Sequence, residues 1–515
     1  MTDNSLFQRA FKLINPYVFF GSLFLLALST LPLILYPHHS KEWIGWLSTF
    51  LSERLAVFYL GFGALSFAFV IYVACSQVGN IKLGTLEEEK EFSTLSWSAM
   101  LFCAGIGGTV LYWGLIEWAY YYQSPPFSAM PNTVAGIEWA ATYGLFHWGP
   151  VAWAIYLIPA IPMAYLYHVK RQVFFRLSQC LTPLFGVNFT SRWLGNLIDI
   201  LLIFGVLCGS ATALGFVSPL ITEGLHQVFA LPVNALSQIS VLLFTMLLFS
   251  YSAFRGLQKG IKIFSELNFC LALIFLLFVL CVGPTLFILN VGFESIGRSL
   301  TYLPSMISWN EAFSAFPQYG FKKTLFPQHW TVFYWAWWLI FSPTMGMFIA
   351  RISRGRTIRE MVVGTLFFGS LGCWLFFCIL GNYGLYLHLS GKLDVIRLLN
   401  QLSPTAAIFA ILSTLPLPHI SIALFTVLAF VFTVTSFDSL SYILASVVQK
   451  NVAQGPARWN RLFWSSTLCL MPSIFLILKG DLNILQAATV IAAAPLLLIL
   501  FVLILTTIKL LRSKH

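Results

Sequence analysis

From Trp330 to Glu360 the chain reads WTVFYWAWWLIFSPTMGMFIARISRGRTIRE. Its first 21 residues, through Ala350, carry no Asp, Glu, Lys or Arg, and four arginines follow within the next nine positions. About 20 apolar residues suffice to cross a bilayer, and cations collect just outside such a span on its cytoplasmic side. The next stretch, between Glu360 and Lys392, is again free of those four residue types. Working outward, 58% of the 515 residues are hydrophobic and 9% are charged, against roughly 25% charged in an ordinary soluble domain. The chain reads as an all-α integral membrane protein.

Apolar runs between polar breaks predict twelve transmembrane helices, over about 17–36, 54–76, 95–121, 137–168, 193–221, 232–254, 261–290, 327–350, 360–388, 419–448, 461–478 and 483–509. A shorter amphipathic helix is expected over 293–306. At about 43 residues per span little remains for soluble domains. There is no glycine-rich phosphate-binding loop, which argues against direct coupling to ATP. The run from Tyr17 lacks a small-residue cleavage site and reads as a retained first helix. Nine cysteines lie mostly within apolar runs and show no disulfide framework. The net charge of +11 has a topological meaning here rather than one of nucleic-acid binding. When connecting segments alternate across the membrane, 20 of the 29 cations fall in the set that includes the N-terminus and eight in the other, with Arg192 at a boundary. Both termini are therefore expected in the cytoplasm.

Two spans have weakened interiors. The third contains Cys103-Ala-Gly-Ile-Gly-Gly108 and the eighth Ser342-Pro-Thr-Met-Gly346. They stand five spans apart, so each opens one of two five-helix units of opposite orientation, an inverted five-helix repeat. The expected organisation is 1–92 for the N-terminal segment and helices 1–2, 93–291 for the first repeat, 292–326 for the amphipathic helix and an external loop, 327–510 for the second repeat and 511–515 for a short tail. Paired interrupted helices in such a repeat point to a midplane binding site in a transporter. The competing reading is that the glycines only allow close helix packing.

At 3.6 residues per turn, Tyr334, Trp338, Phe341 and Met345 share one face of the eighth helix, with Trp337 beside it. Trp148 and Tyr156 share a face of the fourth, near Trp153. An aromatic lining with no buried carboxylate nearby suits a quaternary ammonium, which has no N–H to donate and is held by ring faces at about 0.5–2 kcal/mol per contact. Glu117, Asp199, Glu266 and Asp438 lie in or near spans, where acids are expensive and often functional. Glu117 and Glu266 sit near span ends where water can reach them, and Asp199 and Asp438 have the alternative of bonding to neighbouring helices. His147 reads as a satisfied buried histidine. Thr435 and Ser436 offer hard oxygen ligands suited to sodium, although such residues usually bond back to their own helix. No metal-ligating cluster or nucleophile–base pair is apparent.

The segments Phe333-Tyr-Trp-Ala-Trp-Trp338 and Met347 to Glu360 resemble the signature of the betaine/carnitine/choline transporter family, supported by Phe146-His-Trp148, by Trp113-Gly114 with Glu117, and by Gly256-Leu-Gln-Lys-Gly260. The resemblance runs from about residue 10 to 510. It implies a LeuT-like fold of twelve helices, import of trimethylammonium compounds across a bacterial inner membrane, and a homotrimer. Carried over by motif, the substrate aromatics are Tyr120, Trp148, Trp153, Tyr156, Trp337, Trp338 and Phe341, with Met345 adjoining. Many members place Trp or Tyr where Phe341 stands. The run from 111 to 127, with Met345, resembles the carnitine exchangers. Those are ion-independent and use an arginine where this chain has Asn268. They also lack the hydroxyl pair kept here at Thr435 and Ser436. Sodium-coupled members hold the ion through carbonyls matching Cys103, Ile106 and Phe432 and through the two hydroxyls. Ser210 and Thr212 are candidates for a second ion site, while Thr344 replaces an expected aromatic. Glu117, Asn268 and Asp438 are expected to support the site or its coupling. The short end after Lys509 lacks the long charged tail of osmotically regulated members.

The expected function is sodium-coupled symport of glycine betaine, carnitine or choline, without a prosthetic cofactor or enzymatic chemistry. Open alternatives are sodium-independent exchange, a membrane enzyme acting on choline-bearing lipid, and a sensor derived from a transporter.

Overall fold

The structure is a computed structural model describing residues 12–104, 107–172, 176–255, 258–319, 323–452, 455–477 and 482–512. Helix lies within each of the twelve predicted segments: α1 (Pro16–Leu35), α2 (Ala56–Cys75), α3 in two pieces (Thr94–Ala104 and Gly108–Gln123), α4 (Val134–Val169, broken at Trp148–Gly149), α5 (Trp193–Phe229), α6 (Ala235–Arg255), α7 (Gln258–Val282), α8 (Pro327–Ile352), α9 (Ile358–Leu389), α10 (Pro418–Val447), α11 (Arg458–Ile477) and α12 (Leu482–Arg512). Among the described residues eight are single helices long and apolar enough to cross a membrane, or ten crossings if each bent pair is one span. The protein is thus a multi-pass helical membrane protein.

Local sequence fixes the ends. Asn15 caps α1 by accepting from the Tyr17 N–H at 3.1 Å, with Pro16 at the first helical position, where its missing N–H costs nothing. At α9 Thr357 and Glu360 form a reciprocal capping box, with the Thr357 N–H donating to Glu360 at 2.8 Å and the Glu360 N–H to the Thr357 hydroxyl at 3.1 Å.

The two suspected interruptions differ. The halves of α3 are bent 63° from each other. By contrast, α8 runs unbroken through Ser342–Gly346, which corrects the expectation for that span. Gly346 serves packing: a Cβ there would lie 2.8 Å from Pro159 Cγ and 2.9 Å from the Ala160 nitrogen of α4. A break the sequence reading missed falls at Gly283–Pro284, where α7 turns by 113° into the amphipathic helix Thr285–Thr301. That helix therefore starts eight residues before the expected 293.

The second half of α4, Pro150–Ala164, lies along α8, and α5 packs on α10 and α12. Every residue of α8 from Val332 to Ile340 is buried, as befits a helix surrounded by others rather than one with a lipid face. At the arginine-rich end, residues 81–83 pair with the α8–α9 turn: the Leu83 N–H donates to the Arg356 carbonyl at 2.7 Å, and the N–H groups of Gly355 and Ile358 donate to the carbonyls of Leu83 and Ile81 at 2.8 and 3.0 Å. The buried Arg356 guanidinium sits 4.1 Å from the centre of the Trp97 ring. Glu88 accepts from the Thr85 N–H and pairs with Arg354 and Arg171, and these contacts hold its carboxyl down to about 2.

Gly355 is fixed twice over. Its φ is +77°, and a Cβ would stand 2.3 Å from the Glu89 carbonyl oxygen. Gly355→Ala is expected to destabilise the protein by at least ~1–2 kcal/mol from the left-handed conformation alone, read as a drop in the thermal unfolding midpoint in detergent.

Candidate functional site

Four of the predicted substrate aromatics come together on the seam between α4 and α8. Trp338 is the hub. Its ring centre is 4.5 Å from that of Tyr156, 5.7 Å from Trp153 and 5.8 Å from Trp148. All four are buried. Trp148 and Tyr156 do meet one partner, but the helix breaks between them: Trp148 caps the first piece of α4 and Gly149 is extended before Pro150 starts the second, so an unbroken i, i+8 helix face is not what joins them. Trp153 is fully buried and lies over Gly369 of α9, where a Cβ would come within 2.4 Å of the indole. Phe377 of α9, which nothing in the sequence singled out, closes the group at 5.6 Å from Trp148.

The other candidates sit apart from this group. Trp337 stacks on Phe216 of α5 at 5.9 Å and touches Phe333 at 5.4 Å. Tyr120 lies 5.4 Å from Trp330 and 6.1 Å from Trp113. Tyr334 joins the two sets, 5.8 Å from Trp148 and 6.1 Å from Trp113. Phe341 faces α5, its Cζ 3.0 Å from where a Gly209 Cβ would stand, and Met345 is half-buried.

Glu117 overturns one expectation. The sequence predicts an aromatic group free of a buried carboxylate, with Glu117 near water. The carboxyl is fully buried. It accepts from the Trp148 indole N–H at 3.1 Å, from the Tyr121 hydroxyl at 2.5 Å and from the Tyr334 hydroxyl. His147, also fully buried, places Nδ1 2.8 Å from the Tyr121 oxygen and Nε2 3.0 Å from the Thr331 hydroxyl. The second half of α3 continues to Gln123, so Glu117 is a turn and a half inside the helix. The i, i+4 step to Tyr121 was the one sequence signal for this cluster; the donors on α4 and α8 left none.

Two other acids are tied into ion pairs. Asp199 pairs with Arg176 Nε at 2.6 Å and accepts from the Ser178 N–H and hydroxyl at 3.0 and 2.7 Å. Asp438 pairs with Arg461 Nη2 of α11 at 3.1 Å. The side chain of Glu266 lies outside the described residues, as does Ile106. Asn268 is buried, and among the described residues its Oδ1 has no hydrogen-bond partner.

The hydroxyl pair on α10 lies beside the α3 break. Ser436 Oγ is 3.9 Å from where a Cβ on Gly107 would stand. Thr435 donates back to the carbonyls of Val431 and Phe432 at 3.0 and 3.1 Å, the ordinary habit of a membrane threonine, which leaves its lone pairs available. Two hydroxyl oxygens and the Phe432 carbonyl beside an interrupted helix are a donor set of the hard type sodium takes, and half-buried Cys103 is the last residue but one of the first α3 piece. For the second ion site, Thr212 is engaged with Thr489 and the Leu485 carbonyl of α12, both at 2.8 Å, while buried Ser210 has no hydrogen-bond partner among the described residues and Thr344 donates to the Phe341 carbonyl at 2.7 Å. A cavity of about 450 Å³ at the arginine-rich end is lined by Glu91, Tyr167, His168, Arg171, Arg351 and Arg354.

Comparison with known proteins identifies the family. The family model for betaine/carnitine/choline family transporters matches residues 17–515. An uncharacterised transporter of Escherichia coli K12 is 33% identical across 85% of this chain and 89% of its own. A carnitine transporter of Acinetobacter baumannii is 30% identical across 93% and 86%, and a high-affinity choline transport protein of Escherichia coli K12 is 32% identical across 97% and 72%. The family model spans nearly the whole length: the chain belongs to the betaine/carnitine/choline transporter family, and it is a transporter rather than an enzyme.

Proposed function

We propose that this protein imports a quaternary ammonium solute such as glycine betaine, carnitine or choline by sodium-coupled symport. The observation that carries this reading is the hub of Trp338 with Trp148, Trp153 and Tyr156 on the α4–α8 seam. Ring faces there would hold the methylated nitrogen, with Trp337, Phe341, Met345 and Tyr120 reached as the helices rearrange. In the twelve-span reading, with repeats over 93–291 and 327–510 and both termini cytoplasmic, one group of helices rocks against the rest. The cavity lined by Arg171, Arg351 and Arg354 would be the inner mouth. Cys103, Ile106, Phe432, Thr435 and Ser436 would hold the sodium ion, and its entry supplies about 2.3 kcal/mol per 100 mV. Asn268 and Asp438 would steady the helices bearing these groups. A homotrimer in a bacterial inner membrane completes the proposal.

Labelled betaine, carnitine and choline should be offered to proteoliposomes with and without an inward sodium gradient. Accumulation of at least one, several-fold higher with the gradient, is expected; no accumulation of any rejects the reading. In the variant carrying Thr435→Ala and Ser436→Ala, the sodium concentration for half-maximal uptake should rise at least about tenfold, the loss of ~1.4 kcal/mol of ion binding. The back-bonding of Thr435 favours a second reading, sodium-independent exchange, and unchanged uptake in that variant would support it.

A further inference from the structure

The Glu117 cluster has the makings of a second, chemically distinct site. Its carboxylate collects three donors, Tyr121, Tyr334 and Trp148, from α3, α8 and α4. The titratable groups facing it are Tyr121 on its own helix, His147 on α4 and Tyr334 on α8, with Tyr143 flanking His147 at 5.1 Å between ring centres. From α9 it is Phe377, apolar, that crosses the nearby Gly144. Among the described residues the ion partner within reach is His147, with Nδ1 3.8 Å from Oε1, and no Lys or Arg pairs with Glu117.

The protons can be placed by valence. Tyr121 has one hydroxyl proton, and with that O–H donated to the Glu117 carboxylate its oxygen accepts from Nδ1–H of His147. A neutral imidazole has one N–H, so Nε2 then accepts from the Thr331 hydroxyl. Every polar atom in the chain Glu117, Tyr121, His147, Thr331 is satisfied, and the set carries one negative charge. One further proton, on Nε2 of the imidazole, brings the set to neutrality: Nε2–H then donates to the Thr331 hydroxyl oxygen, and the carboxylate keeps its three donors.

We infer that Glu117, Tyr121 and His147 form one buried site for an exchangeable proton, and that its charge state sets the affinity of the neighbouring aromatic group for a cation. The coupling runs through Trp148, which donates its indole N–H to Glu117 and meets Trp338 with its ring. A charge-assisted hydrogen bond from the indole N–H to a carboxylate raises electron density on the ring face, and that face is what a methylated nitrogen binds. Glu117 is thus a positioning residue: it acts on the ligand through Trp148. The inference rests on the aromatic-cage reading of the transport function. Its sign is fixed: a proton on the site and a cation at the rings disfavour one another. Substrate binding releases protons, and below the midpoint of the site the dissociation constant for a cation rises toward about tenfold per pH unit. Choline, with a net positive charge, should show the larger release; glycine betaine, whose carboxylate offsets its ammonium, the smaller.

The test is titration calorimetry of the full-length protein in detergent, with choline and with glycine betaine, in two buffers of the same pH but different ionisation enthalpy. Proton release on choline binding is expected in the wild type. It should be absent in Glu117→Gln, which should also bind choline about tenfold more weakly. Tyr121→Phe, which cuts the link to His147, should keep release but move its pH midpoint, and this gives a second readout where Glu117→Gln does not fold. Substrate heat with no proton release in the wild type overturns the proton site while leaving the transport reading intact. Wild-type release in Glu117→Gln overturns the assignment to Glu117. No heat from any quaternary ammonium overturns both.

Discussion

Trp338→Leu is expected to raise the substrate concentration for half-maximal uptake by about ten- to a hundredfold, the largest effect on transport of any single substitution considered. The substitution removes the ring that touches Tyr156, Trp153 and Trp148 together. One cation–π contact is lost outright, at ~0.5–2 kcal/mol, and the remaining rings lose the partner that orients them. Truncating a buried tryptophan also costs stability, since full truncation to Ala in a core costs ~3–5 kcal/mol, so a control is needed. Trp335 supplies one. It is just as deeply buried three residues earlier on α8, but it packs on Phe146 at 5.3 Å and fills the space left by Gly63 of α2, outside the ring group. Trp335→Leu should lower the unfolding temperature comparably while leaving half-saturation near the wild-type value. Trp338→Phe, which keeps a ring face, should fall between the wild type and Trp338→Leu. Equal loss of affinity at 335 and 338 would show the effect to be one of general packing.

That comparison also shows why the sequence was informative about some features and silent on others. Hydropathy located the helices because in a bilayer each segment must satisfy its own backbone hydrogen bonds, and an apolar run of sufficient length does so wherever it sits. Breaks are less local. Ser342–Gly346 and Gly283–Pro284 both offer a proline beside or near a glycine, yet α8 continues and α7 ends. In α8 the glycine admits Pro159 and Ala160 of α4, and that close packing holds the helix. At α7 the Thr285 hydroxyl donates to the Leu280 carbonyl at 2.7 Å, which satisfies a group left open at the helix end. Neighbours decide between the two outcomes. The same holds at the site. Helical spacing places Trp148 and Tyr156 on one face, and both meet Trp338, although the helix breaks at Trp148–Gly149 between them. It could not separate Trp337, which turns to Phe216, nor show that Glu117 faces inward, because its partners on α4 and α8 lie 31 and 217 positions away in the chain.

Asp438 presents the sharpest test of whether an acid buried among membrane helices is there for coupling or for cohesion. Its partner Arg461 is on α11, 23 residues on, and the guanidinium also lies 5.2 Å from the Tyr442 ring centre. Both charged groups are buried. Removing one member of such a pair strands the other in a medium of low dielectric, at ~3–5 kcal/mol, whereas replacing both with apolar residues of similar size is often neutral or stabilising. Arg461→Leu is therefore expected to lower the unfolding midpoint in detergent sharply or prevent recovery of folded protein. Adding Asp438→Leu should restore most of the loss. If the pair only joins α10 to α11, the double variant should also transport with sodium dependence close to the wild type, since Thr435 and Ser436 remain in place one turn away. A double variant that folds with restored stability yet accumulates no substrate would instead make Asp438 part of the coupling machinery.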